Sequence, residues 1–218
     1  MEIRYIGHSS FVIKGKSATL VTDPFDPVMV GLKFPKHLSC DIVTVSHDHQ
    51  DHNSIDQLDG KPFAVTGPGE FEIKGVGIVG IGVYHDASSG QERGKNNIYR
   101  IEIDGISVVH LGDIGHVLTA EMVDALDGVD ILMIPVGGFY TVDSVKAKEI
   151  ITEVEPAIII PMHYGRPDIN QKAFGELSPL TQFLKEMGKD EVVPVPKLTV
   201  TKDRIPTEIQ IAVLESKD

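Results

Sequence analysis

The chain has 218 residues, of which 41% are hydrophobic and 24% are charged. This length and composition allow a core large enough to stabilise a soluble fold, so neither a disulfide nor a metal ion is needed merely for folding. The 32 acidic residues outnumber the 20 Lys and Arg residues, and the formal net charge of -12 disfavours wholesale binding to the phosphate backbone of a nucleic acid.

The first half of the sequence predicts a β-rich region with few helices. Short runs of β-branched and aromatic residues alternate with Gly, Pro and Asp, which is the pattern of strands separated by turns. The predicted strands cover residues 3–6, 11–14, 18–22, 42–46, 63–66, 71–74, 76–84, 98–103 and 106–111.

Strand-like and helical patterns alternate in the second half, which predicts helices packed on at least part of a sheet. Residues 131–136 and 157–161 are apolar, as buried strands are. Between them, a helix that ends at Pro156 is predicted from four apolar residues at helical spacing. These residues are Ala147, Ile150, Ile151 and Val154.

A second helix is predicted near residue 180, with Ser178 as its cap, Pro179 at its first position and Gly188 at its end. Its apolar stripe is formed by Leu180, Phe183, Leu184 and Met187. The sequence shows no internal repeat and no linker-like stretch, so we expect one domain over residues 1–218.

Cysteine usage and the N-terminal pattern indicate a cytoplasmic protein. Cys40 is the only cysteine, so it has no partner for an intramolecular disulfide. The first residues enter a strand pattern directly, without the basic and apolar stretches of a secretory signal. No apolar run reaches membrane-spanning length, and we therefore expect no membrane partner.

Immediately after the predicted strand 42–46, four candidate metal ligands fall within six residues: His47, His49, Asp51 and His52. Neutral imidazole is the commonest metal ligand, and alternate residues at an extended strand end can project toward one point. Asp51 and His52 fall in the following turn, where they could serve a second ion or orient a water molecule. A polar loop that is merely rich in histidine is the alternative, but so dense a cluster favours a metal site.

The pattern His47-x-His49-x-Asp51-His52 after a strand resembles the signature of the metallo-β-lactamase superfamily. That resemblance implies an α/β (α+β) fold of four layers, the αββα sandwich. It also implies three further ligands in a fixed order, each after a strand. The sequence offers His85, Asp113 and His163 in that order, each directly after or just beyond a predicted strand, where open sheets place their ligands.

The resemblance implies a dinuclear centre whose ligands form two sets joined by a bridging carboxylate. The sets are His47, His49 and His85 for one ion, Asp51, His52 and His163 for the other, and Asp113 for both. Nitrogen-rich ligation with an open position is typical of catalytic sites, and zinc is the expected metal, with Mn, Fe or Ni as alternatives. Two ions about 3.5 to 4 Å apart would lower the pKa of a bridging water. Asp51 would be the catalytic residue that orients this water or accepts its proton.

Three other branches of the metallo-β-lactamase superfamily have features that this sequence lacks, which disfavours their activities. Secreted β-lactamases of the superfamily commonly carry Cys at the position of Asp113, and the diiron oxidoreductases usually carry Glu at the position of His49, so both activities are disfavoured. No insertion rich in Lys or Arg is present, of the kind that the tRNA-processing branch uses to bind RNA. The chain is most similar to the small bacterial metal-dependent hydrolases, which include ascorbate-6-phosphate lactonase. Residues 5–10, 22–25 and 134–138 carry this likeness.

Four further polar residues are candidates for supporting a ligand from behind or for facing the substrate: His8, Asp23, His110 and His116. A site role for His8 and a plain strand connection are equally open. Asp23 is expected to anchor a turn or to support a ligand. His110 lies within a strand and is expected to be buried structure, whereas His116 stays a candidate for facing the substrate.

These features favour a metal-dependent hydrolase that cleaves a small phosphodiester, lactone or other ester. A nuclease or phosphodiesterase acting on nucleic acid is one alternative, although the sequence displays no basic groove for it. A metal-binding regulatory protein without turnover is another. We therefore expect a small-molecule substrate rather than nucleic acid, and the sequence does not predict an oligomeric state.

Overall fold

The computed structural model describes residues 1–216, which form thirteen strands and five α-helices. The strands are β1 (Glu2–Gly7), β2 (Ser10–Lys14), β3 (Thr19–Thr22), β4 (Ile42–Thr44), β5 (Phe63–Val65), β6 (Gly69–Ile73), β7 (Val76–Tyr84), β8 (Lys95–Ile103), β9 (Ile106–His110), β10 (Ile131–Pro135), β11 (Ile158–Met162), β12 (Leu198–Thr199) and β13 (Gln210–Ile211). The α-helices are α1 (Pro27–Val30), α2 (Ala120–Ala125), α3 (Ser144–Val154), α4 (Gln171–Phe174) and α5 (Leu180–Glu186), and short 3-10 helices cover Ile55–Gln57 and Lys202–Arg204.

The strands form two sheets that pack face to face. The first sheet has the order β12-β1-β2-β3-β4-β5 and the second the order β13-β11-β10-β9-β8-β7-β6. Alternate side chains of each strand point toward the partner sheet. Phe11 and Leu20 of the first sheet accordingly share a buried cluster with Tyr99, Ile101 and Met133 of the second.

Helices cover the outer face of each sheet. Val30 near the end of α1 and Phe174 at the end of α4 pack with Val43 of the first sheet. On the other side, α3 and α5 pack with the second sheet, where Ile150 and Phe183 share a cluster with Leu132. Both faces of β10 are thus covered, which explains why its residues are apolar without alternation. The architecture is the expected αββα sandwich.

Strand direction determines which loops lie together. In the first sheet β2 is antiparallel to both β1 and β3, and β3 is parallel to β4, so β1, β3 and β4 all run one way. In the second sheet β7, β9, β10 and β11 likewise share one direction. The two edges meet where the backbone N–H of His163 donates to the carbonyl of His8 at 2.8 Å. Every predicted site residue except His110 and His116 follows one of these strands.

The two predicted helices are present, but the cap predicted for the second is wrong. Helix α3 begins after Asp143, whose carboxylate accepts from the N–H groups of Val145 and Lys146. Helix α5 begins after Pro179 without a side-chain cap. Ser178 lies one residue before the N-cap position, which Pro179 occupies, so Pro179 is not the first helical residue either. None of the helices in the described range is long and apolar enough to cross a membrane.

Candidate metal centre

The seven side chains predicted as ligands converge at the shared edge of the two sheets. Their nitrogen and oxygen atoms form three overlapping groups, and within each group the atoms lie within 4.8 Å of one another. The groups are His47, His49 and His85; His8, Asp51, His52 and His163; and His47, His52 and Asp113. The structure therefore brings all seven residues to one place and adds His8 to them.

Asp113 lies at the centre of the cluster. Its Oδ2 atom is 3.3 Å from His52 Nε2, 3.4 Å from His85 Nε2 and 3.1 Å from His163 Nε2. The backbone N–H of Asp113 donates to the side-chain carbonyl of Asn96 at 3.1 Å, which fixes the turn after β9. One carboxylate thus reaches histidines from both predicted ligand sets.

Several buried ligand atoms in this cluster have no hydrogen-bond partner. A buried polar atom without a partner costs about 1–3 kcal/mol, and such atoms are rare in folded proteins. Among them, His52 Nε2 and His163 Nε2 face the Asp113 carboxylate, and imidazole nitrogen with carboxylate oxygen is a donor set that suits divalent transition metals. The residues therefore fit bound metal ions. The unpartnered atoms are His47 Nε2, His52 Nε2, His85 Nδ1, His163 Nδ1, His163 Nε2 and Asp113 Oδ1.

Asp23, at the end of β3, supports the cluster from behind. It is fully buried, and its Oδ1 atom accepts from the backbone N–H of Ser46 at 2.7 Å. Its Oδ2 atom accepts from Ser46 Oγ at 2.5 Å and from His52 Nδ1 at 2.8 Å. A carboxylate on one ring nitrogen fixes the tautomer and leaves the other free for a metal. Asp23 thus presents His52 Nε2 to the centre, and the expectation that it supports a ligand fits this geometry.

His8, at the end of β1, contacts the second ligand group directly. Its Nε2 atom lies 3.0 Å from Asp51 Oδ2, and its ring centroid is 4.0 Å from that of His163 and 4.8 Å from that of Phe174. The carbonyl of His8 accepts from the hydroxyl of Tyr5 at 2.8 Å. Of the two roles left open for His8, the site role agrees with its position.

Three residues of the site adopt the left-handed backbone conformation, which is uncommon outside glycine. The φ angles are 56° for His8, 38° for Asp23 and 52° for His163. Each follows a strand directly, so the chain turns sharply there and directs a polar side chain into the edge. Such strain costs about 1–3 kcal/mol per residue and persists only where surrounding contacts enforce it.

Burial favours the neutral form of two histidines of the first ligand group, His47 and His85. It lowers the pKa of His47 to about 2 and also lowers the pKa of His85. Burial, with a contribution from nearby His163, likewise lowers the pKa of His8 to about 4. Neutral imidazole is the form that binds metal, so these residues need lose no proton on binding near neutral pH.

For Asp113, Asp51 and His52, nearby charges outweigh the effect of burial on the pKa. Burial alone would raise the pKa of Asp113, but His163 and His52 hold it well below its usual value. Burial also opposes the charge on Asp51, yet His52 and His8 lower its pKa. Burial would lower the pKa of His52, but the carboxylates of Asp113 and Asp51 raise it well above its usual value. Without a metal, His52 therefore carries a proton that a bound cation would replace.

A cavity of about 390 Å³ opens onto the cluster. The ligand residues His49, Asp51, His85 and Asp113 line its floor, and its walls are formed by residues that the sequence did not single out. These wall residues include Met29, Arg93, Tyr140 and Phe174. They lie on loops or on four-residue helices, where no periodic pattern marks them.

The other candidate histidines lie outside this cavity. His110 is buried, as expected for a residue within a strand, and its Nε2 atom donates to the carbonyl of Ser9 at 2.8 Å. His116 bonds through Nδ1 to the carbonyl of Val117 at 2.8 Å and does not line the described cavity. The structure thus does not place His116 toward a substrate.

Sequence and structure comparisons agree on the family. A profile of the beta-lactamase superfamily domain matches residues 2–163. A UPF0173 metal-dependent hydrolase of Thermoplasma acidophilum is 30% identical over 194 residues, with 78% of this chain and 85% of the relative covered. A second, from Thermoplasma volcanium, is 31% identical over 198 residues, with 78% and 86% covered.

A solved structure from Thermotoga maritima extends the likeness to the whole chain. That protein, a candidate Zn-dependent hydrolase of the metallo-beta-lactamase superfamily, is 34% identical to this chain. The alignment covers 98% of this chain and 97% of that one, with a TM-score of 0.79. The profile match, the relatives and the shared architecture all point the same way: this chain belongs to the metallo-β-lactamase superfamily, among its metal-dependent hydrolases.

Proposed function

We propose that the chain holds two divalent metal ions, zinc by expectation, and uses them to cleave a small phosphodiester, lactone or other ester with water. The observation that carries this proposal is the set of unpartnered ligand atoms at the meeting edge of the two sheets. The proposed ligands are His47, His49 and His85 for one ion, Asp51, His52 and His163 for the other, and Asp113 for both.

Two cations, when bound, would lower the pKa of a water molecule and polarise the substrate oxygen. The protein's own contribution is to position the groups around the reacting atoms. Asp51 lines the cavity, and its Oδ2 atom is held at 3.0 Å by His8. With its pKa lowered, Asp51 is ionised at neutral pH and can accept a hydrogen bond or a proton from the attacking water.

The dimensions of the cavity support a small substrate. A volume of about 390 Å³ is within the range of small-molecule sites. Within residues 1–216, Arg93 is the one Lys or Arg side chain that lines this cavity, whereas a nucleic-acid groove needs several cations along its length. We therefore favour a small-molecule ester over a polynucleotide.

An activity screen with an Asp51→Asn variant tests the proposal. The metal-loaded protein should hydrolyse at least one member of a panel of esters, lactones and phosphodiesters. Asp51→Asn should lower kcat by roughly 10²- to 10⁴-fold, which is the usual contribution of a general base, while the protein stays folded. Asp56→Asn, an exposed carboxylate five residues away, is the matched control and should retain activity.

Two outcomes would contradict the proposal. Full activity in Asp51→Asn would remove Asp51 from the reaction. Full metal occupancy without turnover of any ester in the panel would favour the non-catalytic metal-binding alternative.

A further inference from the structure

Arg93 is the cationic residue at the cavity wall that the proposed chemistry does not use. Its side chain is 31% exposed, and the acidic residues Asp48, Asp51 and Asp113 line the same cavity. Asp51 and Asp113 are proposed ligands, and Asp48 already accepts from the side-chain amide of Asn53 at 2.6 Å. Arg93 is therefore the cavity residue best suited to bind an anion.

The loop that carries Arg93 is held by a buried carboxylate. Asp86, directly after His85, accepts from four backbone N–H groups at 2.8 to 3.1 Å. These donors are Ser88, Gly90, Glu92 and Arg93 itself. A loop closed on one side chain in this way holds the backbone of Arg93 at a fixed place beside the proposed ligand His85.

The guanidinium group is positioned as well. Its carbon lies 5.5 Å from the ring centroid of Tyr140, within the range of a cation–π contact. The Tyr140 hydroxyl donates to the carbonyl of Ala173 at 2.7 Å, so the ring is itself anchored. A guanidinium over an aromatic face keeps the N–H groups in its own plane free to donate to a planar or tetrahedral anion.

Within the part of the chain that the structure describes, Arg93 forms one ion pair, and that pair is exposed. Its ion-pair partner is Glu92, with Arg93 Nη1 and Glu92 Oε2 3.5 Å apart and the Glu92 side chain 60% exposed. Exposed pairs of this kind contribute little, so a ligand anion can replace Glu92 at small cost. The apolar surfaces of Met29 and Phe174 line the same cavity and suit the carbon skeleton of a substrate.

We infer that Arg93 determines substrate class by binding a carboxylate or phosphate on the part of the substrate that does not react. This inference rests on the proposed hydrolase function and makes the substrate a small ester or lactone that carries an anion. The reacting bond lies against the floor formed by Asp51 and Asp113, and the anion lies against the Tyr140–Arg93 wall.

Three series of 4-nitrophenyl esters that differ only in their terminal group test the inference. One series carries acyl chains of increasing length that end in a methyl group, a second ends in a carboxylate and a third ends in a phosphate. The wild-type protein should prefer one charged series over the neutral one in kcat/KM. Because a charge-assisted hydrogen bond contributes about 1.5–3 kcal/mol, Arg93→Gln should lower kcat/KM for that series by about ten-fold or more.

Matched variants separate the anion contact from a general charge effect. Arg93→Gln should leave the neutral esters and the metal content unchanged, and Arg93→Lys should restore part of the preference. Lys95→Gln removes an exposed positive charge two residues away, outside the cavity, and should behave as wild type. The preferred series identifies carboxylate or phosphate as the source of the anion.

Calorimetry with the corresponding amides, which resist hydrolysis, keeps the two proposals distinguishable. Tighter binding of the charged amides by the wild type than by Arg93→Gln supports the inference even if no ester is cleaved, in which case only the hydrolase proposal fails. The inference would be overturned, even if hydrolysis proceeds, by either of two results. The wild-type protein could bind charged and neutral amides with equal affinity, or Arg93→Gln could lower the affinity for both amides equally.

Discussion

Replacement of Asp23 by Asn tests whether this buried carboxylate holds His52 for metal binding. The substitution keeps size and shape but replaces one acceptor oxygen by an NH₂ donor. In the wild-type protein, the backbone N–H of Ser46 donates to Asp23 Oδ1, and Ser46 Oγ and His52 Nδ1 donate to Asp23 Oδ2. If the amide oxygen of the variant faces the backbone N–H of Ser46, the amide nitrogen faces His52 Nδ1 and Ser46 Oγ. If the amide flips, its nitrogen opposes the N–H of Ser46 instead. In either orientation a buried donor loses its acceptor.

The expected magnitude follows from these contacts. Two of the three hydrogen bonds reach the same oxygen, at 2.5 Å from Ser46 Oγ and 2.8 Å from His52 Nδ1. Loss of hydrogen bonds to a buried charged group costs about 1.5–3 kcal/mol each, and because they share one atom we expect the free energy of unfolding to fall by about 2–4 kcal/mol. Loss of the carboxylate behind a ligating histidine should weaken metal binding by roughly 10- to 100-fold.

Urea unfolding of the metal-free protein and competition with a chromophoric chelator measure the two effects separately. Asp26→Asn is the matched control, because Asp26 caps α1 and Asn caps helices equally well. If Asp23→Asn bound metal as tightly as wild type and unfolded at the same urea concentration, the role assigned to Asp23 would be wrong.

Two further predictions concern the metal-free protein and the backbone of the site. Burial lowers the pKa values of His8, His47, His85 and His110, so their contribution to stability is present above the unfolded pKa of about 6.5 and is lost as the pH falls below it. Between pH 6 and 5 the free energy of unfolding of the chelator-treated protein should therefore fall by about 1.2 kcal/mol for each histidine that stays neutral in the fold, and pH-independent denaturation curves would contradict this. A Cβ on Gly137 would lie 2.2 Å from the carbonyl oxygen of His163, so Gly137→Ala should destabilise the protein by about 1–3 kcal/mol and reduce its metal content. Gly67→Ala, where an added Cβ meets nothing within 4 Å, is the control, and equal stability of the two variants would refute the steric argument.

The parts of the fold with a strong periodic or apolar pattern could be predicted from the sequence. The apolar runs 131–136 and 157–161 predicted β10 (Ile131–Pro135) and β11 (Ile158–Met162), which are buried along their whole length, and α3 follows its 3.6-residue period to Val154. The short elements α1 and α4, with four residues each, have no period to detect. Ser178 is a residue type that favours the N-cap position, but α5 begins one residue later, with Pro179 at the N-cap.

The candidate centre could be located because its residues follow strands that run in one direction. The order of the ligands after β4, β7, β9 and β11 is visible in the sequence, and the parallel directions bring them to one edge. The contact between His8 and Asp51 depends on how the turn after β1 bends, which no spacing encodes. Arg93 and Tyr140 meet across two loops, so the cavity wall emerges only in three dimensions.

Elemental analysis of the purified protein, paired with a His49→Ala variant, tests the central claim most directly. His49 is the exposed member of its group, so its removal should not disturb the core. The proposed dinuclear centre predicts close to two metal equivalents per subunit in the wild-type protein and a clear loss in His49→Ala. A wild-type protein that binds no metal when supplied with zinc, or a variant with unchanged metal content, would contradict the proposed centre.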